Sequence, residues 1–348
     1  MLEVLHAAPF ASEEPSGDPG VLRRSVLASL LALPGTALGS RLQAATLWQV
    51  ATEYPADTMP GEGVIRFARN ASAAAAAALT VQPQFDAPDG LRSAGMIAAV
   101  ARGWPAAGDA FTGALASVAP IFQLSALPFL TASAADAARL LQVARPAYRE
   151  ALQARSCTLL YATPWPATGL WSRQALDGPQ ALHGLRVRTY DSVGTSTFRA
   201  AGADPVQISF ADALPRLRAG ALDAVLSSGD GGAGVRLWEL LPHFTPIEYA
   251  WPLSLAFCNT ATLAALPASM REAVLRAGTE TEAQQFEAIV TRSRENAERM
   301  RDNGVRVSAI PTLRTALVDA ATQVLAEWRT QAGADGAAIL AAYGAAPT

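Results

Sequence analysis

The chain has 348 residues, 51% of them hydrophobic, and a formal charge of −3 at neutral pH. That length and apolar content allow one large core or two medium ones, while the charge gives neither the basic footprint of a nucleic-acid binder nor an acidic tail. All 27 basic residues are arginine, which excludes a lysine-bearing phosphate loop, a Schiff base and a lysine general base.

Residues 1–20 are polar, contain Pro and Gly, and show no period. In "LRRSVLASLLALPGTALG", Arg23 and Arg24 directly precede an apolar stretch from about Ser25 to Gly39, and small residues follow in "RLQAA". Charged start, short apolar segment and small-residue exit make a secretory signal, too short to stop in a membrane. The pair Arg-Arg followed by "SVL" resembles the twin-arginine export motif. The mature chain is expected to begin near Ala45 or Thr46. No later window reaches about 18 uninterrupted apolar residues, so no stable membrane insertion is expected.

From there the pattern alternates. "TLWQVATEY" reads as a strand, "GVIRFARNASAAAAAA" as a helix, "LTVQPQF" as a strand, and "LRSAGMIAAVARG" as a helix closed by Gly103. "GDAFTGAL" is a third strand, about Ala132 to Arg155 a long helix, and "CTLLYAT" a fourth strand. "TPWPATGLW" interrupts the periodicity and marks a boundary between two lobes. Beyond it, "LRVRTY" reads as a strand, "GTSTFRAAGA" as a helix, "FADALPRLRAGALDAVL" as a helix turning into a strand, and "IEYAWPLSLAFCN" as a buried strand. A very long helix is expected from about Pro267 to Asn303, stopped by Gly304. This is an α/β chain with strands buried between helices. Its expected divisions are a presequence at 1–44 with the export signal at about 21–44, a first lobe at 45–165, and a second at 166–258. The long helix and a C-terminal part returning to the first lobe occupy 259–348.

Cys157 and Cys258 allow one long-range disulfide or two buried thiols, and the thiols are favoured. "SSGDGGAG" carries Gly229, Gly231 and Gly234 in G-x-G-x-x-G spacing, after the apolar "LDAVL" and before the helix-like "VRLWELL". A dinucleotide fold opens with that turn and continues with further βαβ units, whereas here alternation does not resume and Glu248 begins a strand instead of ending one. No cofactor is expected. His6, His183 and His243 show no metal-ligand spacing, and "GTSTF" misses the nucleophile elbow at its last position. Ser227 and Ser228 have hydroxyls but no base signalled by the sequence.

Six segments in order resemble the periplasmic solute-binding proteins of TRAP transporters, the DctP family. They are "LSALPFL" at 124–130, "ALHGLRVR" at 181–188, "AAGADPVQISF" at 200–210, "LRAGALDAV" at 217–225, and "PLSLAFCN" with "NGVRV" on either side of the long helix. The resemblance implies a two-lobed, hinge-closing periplasmic-binding-protein fold with the long helix bracing both lobes. It also implies that Arg188 clamps a carboxylate of an organic acid with its planar fork, and that Phe210 lies against the ligand's carbon skeleton. Arg186 is read as a solvated charge.

Two positions depart from the family pattern. Where members carry an asparagine after "G-x-V-D-G", this chain has Ser227, followed by Ser228 and Asp230, so the glycine turn reads as the rim of a ligand cleft. Where some members place a second arginine, it has Thr168 beside Trp165 and Trp171, which implies a less polar, monoanionic ligand. Tyr249 and Trp251 at the lobe crossover, and Glu53, Tyr54 and Thr112 at strand ends, are candidate lip residues. The expected function is a monomeric periplasmic protein that captures a small organic acid for a TRAP membrane permease and does no chemistry. An exported serine hydrolase using Ser227 or Ser228, and a ligand sensor uncoupled from transport, are the alternatives.

Overall fold

A computed structural model of the chain describes residues 46–76 and 78–344. The export signal read at Arg23 and Arg24 lies outside the described residues.

Strand β1 (Thr46–Thr52) buries Trp48 and Val50 and pairs in parallel with β2 (Leu79–Gln84) and β3 (Ala107–Phe111). Between them run α1 (Met59–Ala74) and α2 (Ser93–Ala101). Helix α1 begins at Met59 and not at Gly63, because Thr58 caps it by accepting the Gly61 N–H at 3.3 Å and Pro60 fits the first turn. Its buried residues Val64, Phe67, Ala68 and Ala71 have the i, i+3, i+4, i+7 spacing of a helix facing a core. The strand expected through "GDAFTGAL" stops at Phe111, and Thr112–Leu115 form one tight turn. Helix α3 (Ala134–Gln153), capped by Ser133 accepting the Asp136 N–H at 3.1 Å, leads to β4 (Cys157–Pro164).

The next segment corrects the sequence reading. "TPWPATGLW" contains a fully buried strand, β5 (Thr168–Ser172). It is followed by β6 (Arg186–Thr189), α4 (Ser192–Ala200), β7 (Asp204–Gln207), α5 (Phe210–Arg218), β8 (Ala224–Ser228), the short α6 (Gly229–Gly234) and β9 (His243–Thr245). The helix-like "VRLWELL" is only a turn at Leu237–Glu239. Strand β10 (Leu253–Asn259), α7 (Thr260–Ala264), α8 (Ala268–Asp302), β11 (Arg306–Val307) and α9 (Pro311–Tyr343) complete the chain. Gly304, at φ 74°, ends α8 as expected, since a left-handed residue past the cap suits glycine.

The strands form two sheets, ordered β2-β1-β3-β10-β4 and β11-β9-β5-β8-β6-β7. The run assigned to the end of the second lobe therefore returns to the first sheet: β10 lies antiparallel between β3 and β4, and all seven of its residues are buried. Its register with β4 shifts at Ala256/Phe257, leaving Leu160 as an extra residue, so that Leu160 and Tyr161 both face the cluster around Phe67. The two passages between sheets pair with each other. Trp165 N–H donates to Pro252 O at 2.8 Å, Thr168 N–H to Ala250 O at 2.9 Å, and Tyr249 N–H to Thr168 O at 2.9 Å. They thus form an antiparallel ribbon joining the two lobes. Helix α8 packs on α1, β4 and α6, while α9 spans α4 and α3 and kinks at Gly333 (φ 61°, ψ −152°).

Both cysteines are free and fully buried. Cys157 stands opposite Asn259 and Cys258 opposite Thr158, so alternation along the strands sends the two sulfurs to opposite faces of the sheet. Burial pushes the Cys157 thiol up to about 11, and the Cys258 thiol higher still. A thiol-specific reagent should titrate neither cysteine in the native protein and both in denaturant. Gly278 lets α8 approach the sheet, since a Cβ there would stand 2.5 Å from Leu160 O. Replacing Gly278 with Ala should destabilise the fold by about 1–2 kcal/mol in denaturant titration, backbone overlap outweighing the gain in helix propensity.

Candidate functional site

Strand β6 places Arg188 at the carboxyl end of the parallel part of the second sheet, where open α/β sheets present their ligand crevice. Val187 points into the core below, while Arg186 and Arg188 share the other face two residues apart. Their fates differ. Arg186 is exposed and forms a fork with Asp223, its Nε and Nη2 donating to Oδ2 and Oδ1 at 2.7 and 2.6 Å, so it is a paired charge and not merely a solvated one.

Arg188 is 5% exposed. Its Nε donates to Ile208 O at 2.9 Å and its Nη1 to Leu226 O at 3.2 Å, tying it to the residue just past β7 and to the middle of β8 on either side. Among the described residues no carboxylate lies within 4.0 Å of its nitrogens. Burial holds its pKa below the ordinary arginine value, an effect partly offset by Tyr54, Glu53, Tyr190 and Asp191 nearby. The rings of Phe210 and Tyr190 lie 5.2 and 5.9 Å from its Cζ.

Arg188 borders a cavity of about 40 Å³ between the sheets. Tyr54, Pro55, Thr58 and Phe111 line it from the first lobe, and Trp165 and Pro252 from the ribbon. Thr168, Tyr190, Phe210, Ser227, Ser228, Gly231 and Val235 line it from the second lobe. Trp165 is fixed by its Nε1–H donating to Ser254 Oγ at 3.0 Å and by edge contact with Tyr54 at 4.8 Å. Phe111 meets Tyr190 at 4.9 Å. The Tyr190 hydroxyl is buried beside Thr168 with no completed hydrogen bond, and burial holds its phenol neutral by pushing the pKa well up. Among the described residues, Arg188 is the one charged residue on this lining.

The glycines of "SSGDGGAG" serve packing. A Cβ on Gly229 would stand 3.2 Å from Met300 Cε, on Gly231 2.7 Å from Ser227 Oγ, and on Gly234 2.6 Å from Thr58 Cγ2. They let α6 sit close to the brace and the first lobe while the Ser227 hydroxyl faces the cavity. Ser228 Oγ accepts the Gly231 N–H at 3.1 Å.

Of the sequence candidates, Arg188, Phe210, Ser227, Ser228, Trp165 and Tyr54 come together here, and five do not. Asp230 turns away: its Oδ2 accepts the Met59 N–H at 2.7 Å and its Oδ1 accepts from Asn296 Nδ2 at 2.9 Å. Burial pushes its carboxyl up to about 6 against those hydrogen bonds. Glu53 caps α2 by accepting the Ser93 N–H at 2.7 Å, and borders a neighbouring recess with Arg92 and the far side of Arg188. Thr112 donates to Leu253 O at 2.9 Å and meets Ser125 Oγ at 2.8 Å, fully buried. Tyr249 is core packing, 5.4 Å from Phe129 and 6.4 Å from Tyr190. Trp251 is outside the lining, its backbone N–H held by Thr131 Oγ1 at 3.1 Å. The structure adds Tyr190, Thr58, Pro55 and Phe111. Tyr190 was within reach of the sequence, immediately after "RVRT".

The chain matches the model of the bacterial extracellular solute-binding proteins, family 7 (DctP), over residues 50–331. Among solved structures it resembles DctP7, a Bordetella pertussis extracytoplasmic solute receptor binding pyroglutamic acid, with 26% identity and a TM-score of 0.83 over 86% of this chain and 100% of that one. A marine metagenome TRAP solute-binding protein specific for pyroglutamate is also 26% identical, with a TM-score of 0.82 over 86% and 99%. A TRAP periplasmic protein from Shewanella oneidensis with bound succinate shares the fold at 19% identity, with a TM-score of 0.79 over 86% and 100%. No curated protein matches the chain.

Asp191 lies beside this site, its Oδ1 accepting the Gly194 N–H at 2.7 Å and its buried Oδ2 without a partner. Desolvation raises its carboxyl from 3.8 to about 7. The folded state thus holds the proton more tightly than the unfolded state, and the stability this adds is full below the unfolded pKa and lost as pH rises through 7. The melting temperature of Asp191→Asn relative to wild type should therefore improve between pH 4 and 7 and level off above. A constant difference across that range would show that Asp191 titrates as an ordinary aspartate.

Proposed function

The chain belongs to the family-7 bacterial extracellular solute-binding proteins, and we propose that within this family it captures a small monocarboxylate and hands it to a TRAP-type membrane permease. The carrying observation is Arg188: a buried guanidinium anchored through Nε and Nη1 to backbone carbonyls, with no carboxylate of the described protein paired to it. Desolvating a charge costs several kcal/mol unless a partner of good geometry offsets it. An arginine has five N–H donors, and two are engaged here, so a ligand carboxylate can take a forked pair from those remaining.

The rest of the lining defines the remainder of the ligand. Trp165, Phe111, Tyr54 and Phe210 offer ring faces and edges to a compact carbon skeleton, and Ser227, Ser228 and Tyr190 offer hydroxyls to one neutral polar group. A second carboxylate would be buried with no cation beside it, and the cavity is small. Pyroglutamate, named for the two relatives above, has one carboxylate and one neutral lactam, and so falls in this class.

Among the described residues no imidazole or carboxylate is hydrogen-bonded to either Ser227 or Ser228, which supports capture over hydrolysis. No helix among the described residues is long and apolar enough to cross a membrane. We take the protein to act as a periplasmic monomer, exported through its Arg23-Arg24 signal, whose lobes bend about the ribbon to enclose the acid.

A thermal-shift series tests the ligand class. Pyroglutamate at about 100 times its dissociation constant should stabilise by about 2.7 kcal/mol, with succinate and galacturonate giving little. Preference for succinate would overturn the monocarboxylate assignment. In calorimetric titration, Arg188→Lys should weaken binding by about 2–5 kcal/mol with the ligand-free melting temperature nearly unchanged, and Ser227→Ala by about 0.5–1.5 kcal/mol.

A further inference from the structure

We propose that Asp230 is the latch that holds the two lobes together over a bound acid. The inference rests on the capture function above, and adds a positioning residue that does not touch the ligand. Helix α1 leaves its first N–H groups without partners inside the helix, as every helix does. Thr58 caps one from its own lobe, and Asp230, from α6 in the other lobe, caps the N–H of Met59 at 2.7 Å. A carboxylate at a helix N-terminus also meets the positive end of the helix dipole.

The contact is built on three sides. Asn296, on the bracing helix α8, donates to the other Asp230 oxygen at 2.9 Å, and Arg292 Nε stands 3.7 Å from that same atom. Asp230 is 1% exposed, so no water replaces these partners while the lobes meet. Separating the lobes removes the Met59 N–H from the carboxylate and leaves both to be solvated.

The latch sits next to the ligand cavity on both sides. Ser227, Ser228 and Gly231 flank Asp230 in sequence, and Pro55 and Thr58 precede Met59; all five line the cavity. A ligand that draws these two walls together therefore sets the latch. An ion pair between the lobes near the cleft, Arg92 with Asp212 at 3.1 Å, is solvent-exposed, and exposed pairs contribute little. The buried contact carries closure and the exposed one does not.

Stopped-flow kinetics with pyroglutamate as the probe separates the roles. Asp230→Ala should raise the dissociation rate about tenfold or more, with the association rate within about twofold of wild type, because the latch forms only after the acid has entered. Asp230→Asn keeps an acceptor for the Met59 N–H and should recover most of the residence time. Asp212→Asn should leave both rates within about twofold. An unchanged dissociation rate in Asp230→Ala would overturn the latch while leaving the capture function standing. So would a lowered ligand-free melting temperature with an unaltered dissociation rate, which marks a merely structural carboxylate. Failure of the wild type to bind pyroglutamate or any other monocarboxylate would instead remove the capture function, and the latch with it.

Discussion

One buried guanidinium, ion-paired to no carboxylate among the described residues, governs the site. Arg188 is kept from water by Phe210, Tyr190 and the facing lobe, and is held in place by two backbone carbonyls, one just past β7 and one within β8. Carbonyl oxygens fix direction without neutralising charge, so the group stays hungry for an anion. Among the described residues, every other group of the lining is neutral.

The two sheets impose a second constraint. A cavity lined from both lobes exists only while the lobes face each other, and the chain keeps them facing by crossing between sheets twice along a hydrogen-bonded ribbon. Helices α8 and α9 each touch elements of both lobes. The tie through Asp230 joins this frame at the point where α1, α6 and α8 meet.

Much of this was legible, and the failures have physical causes. Arg188 and Phe210 lie in segments whose order along the chain resembles a family, Ser227 follows another of them by two residues, and a strand end is where such a fold displays side chains. Asp230 was misplaced because adjacency to Ser227 and Ser228 says nothing of which side of a short helix a residue occupies. Glu53 and Thr112 also sit at strand ends, yet one turns back to cap a helix and the other to bond a neighbouring strand, choices made by tertiary contacts. Prolines and tryptophans around β5 look like a break because they build the ribbon at its edge. In α9, Leu313, Leu317, Ala321, Val324 and Trp328 do keep a helical period, but alanine on every face dilutes it.

The extra residue at Leu160 has a chemical consequence of its own. Above the shift, β10 and β4 pair as Ala256 with Tyr161; continued without the bulge, that register would set Cys157 opposite Thr260, on the same face as Cys258. The two sulfurs would then be diagonal neighbours on one surface, open to oxidation against each other. The bulge turns one of them through the sheet. In an oxidising extracytoplasmic compartment, a single unpaired backbone residue thus keeps the two thiols on opposite faces of the sheet.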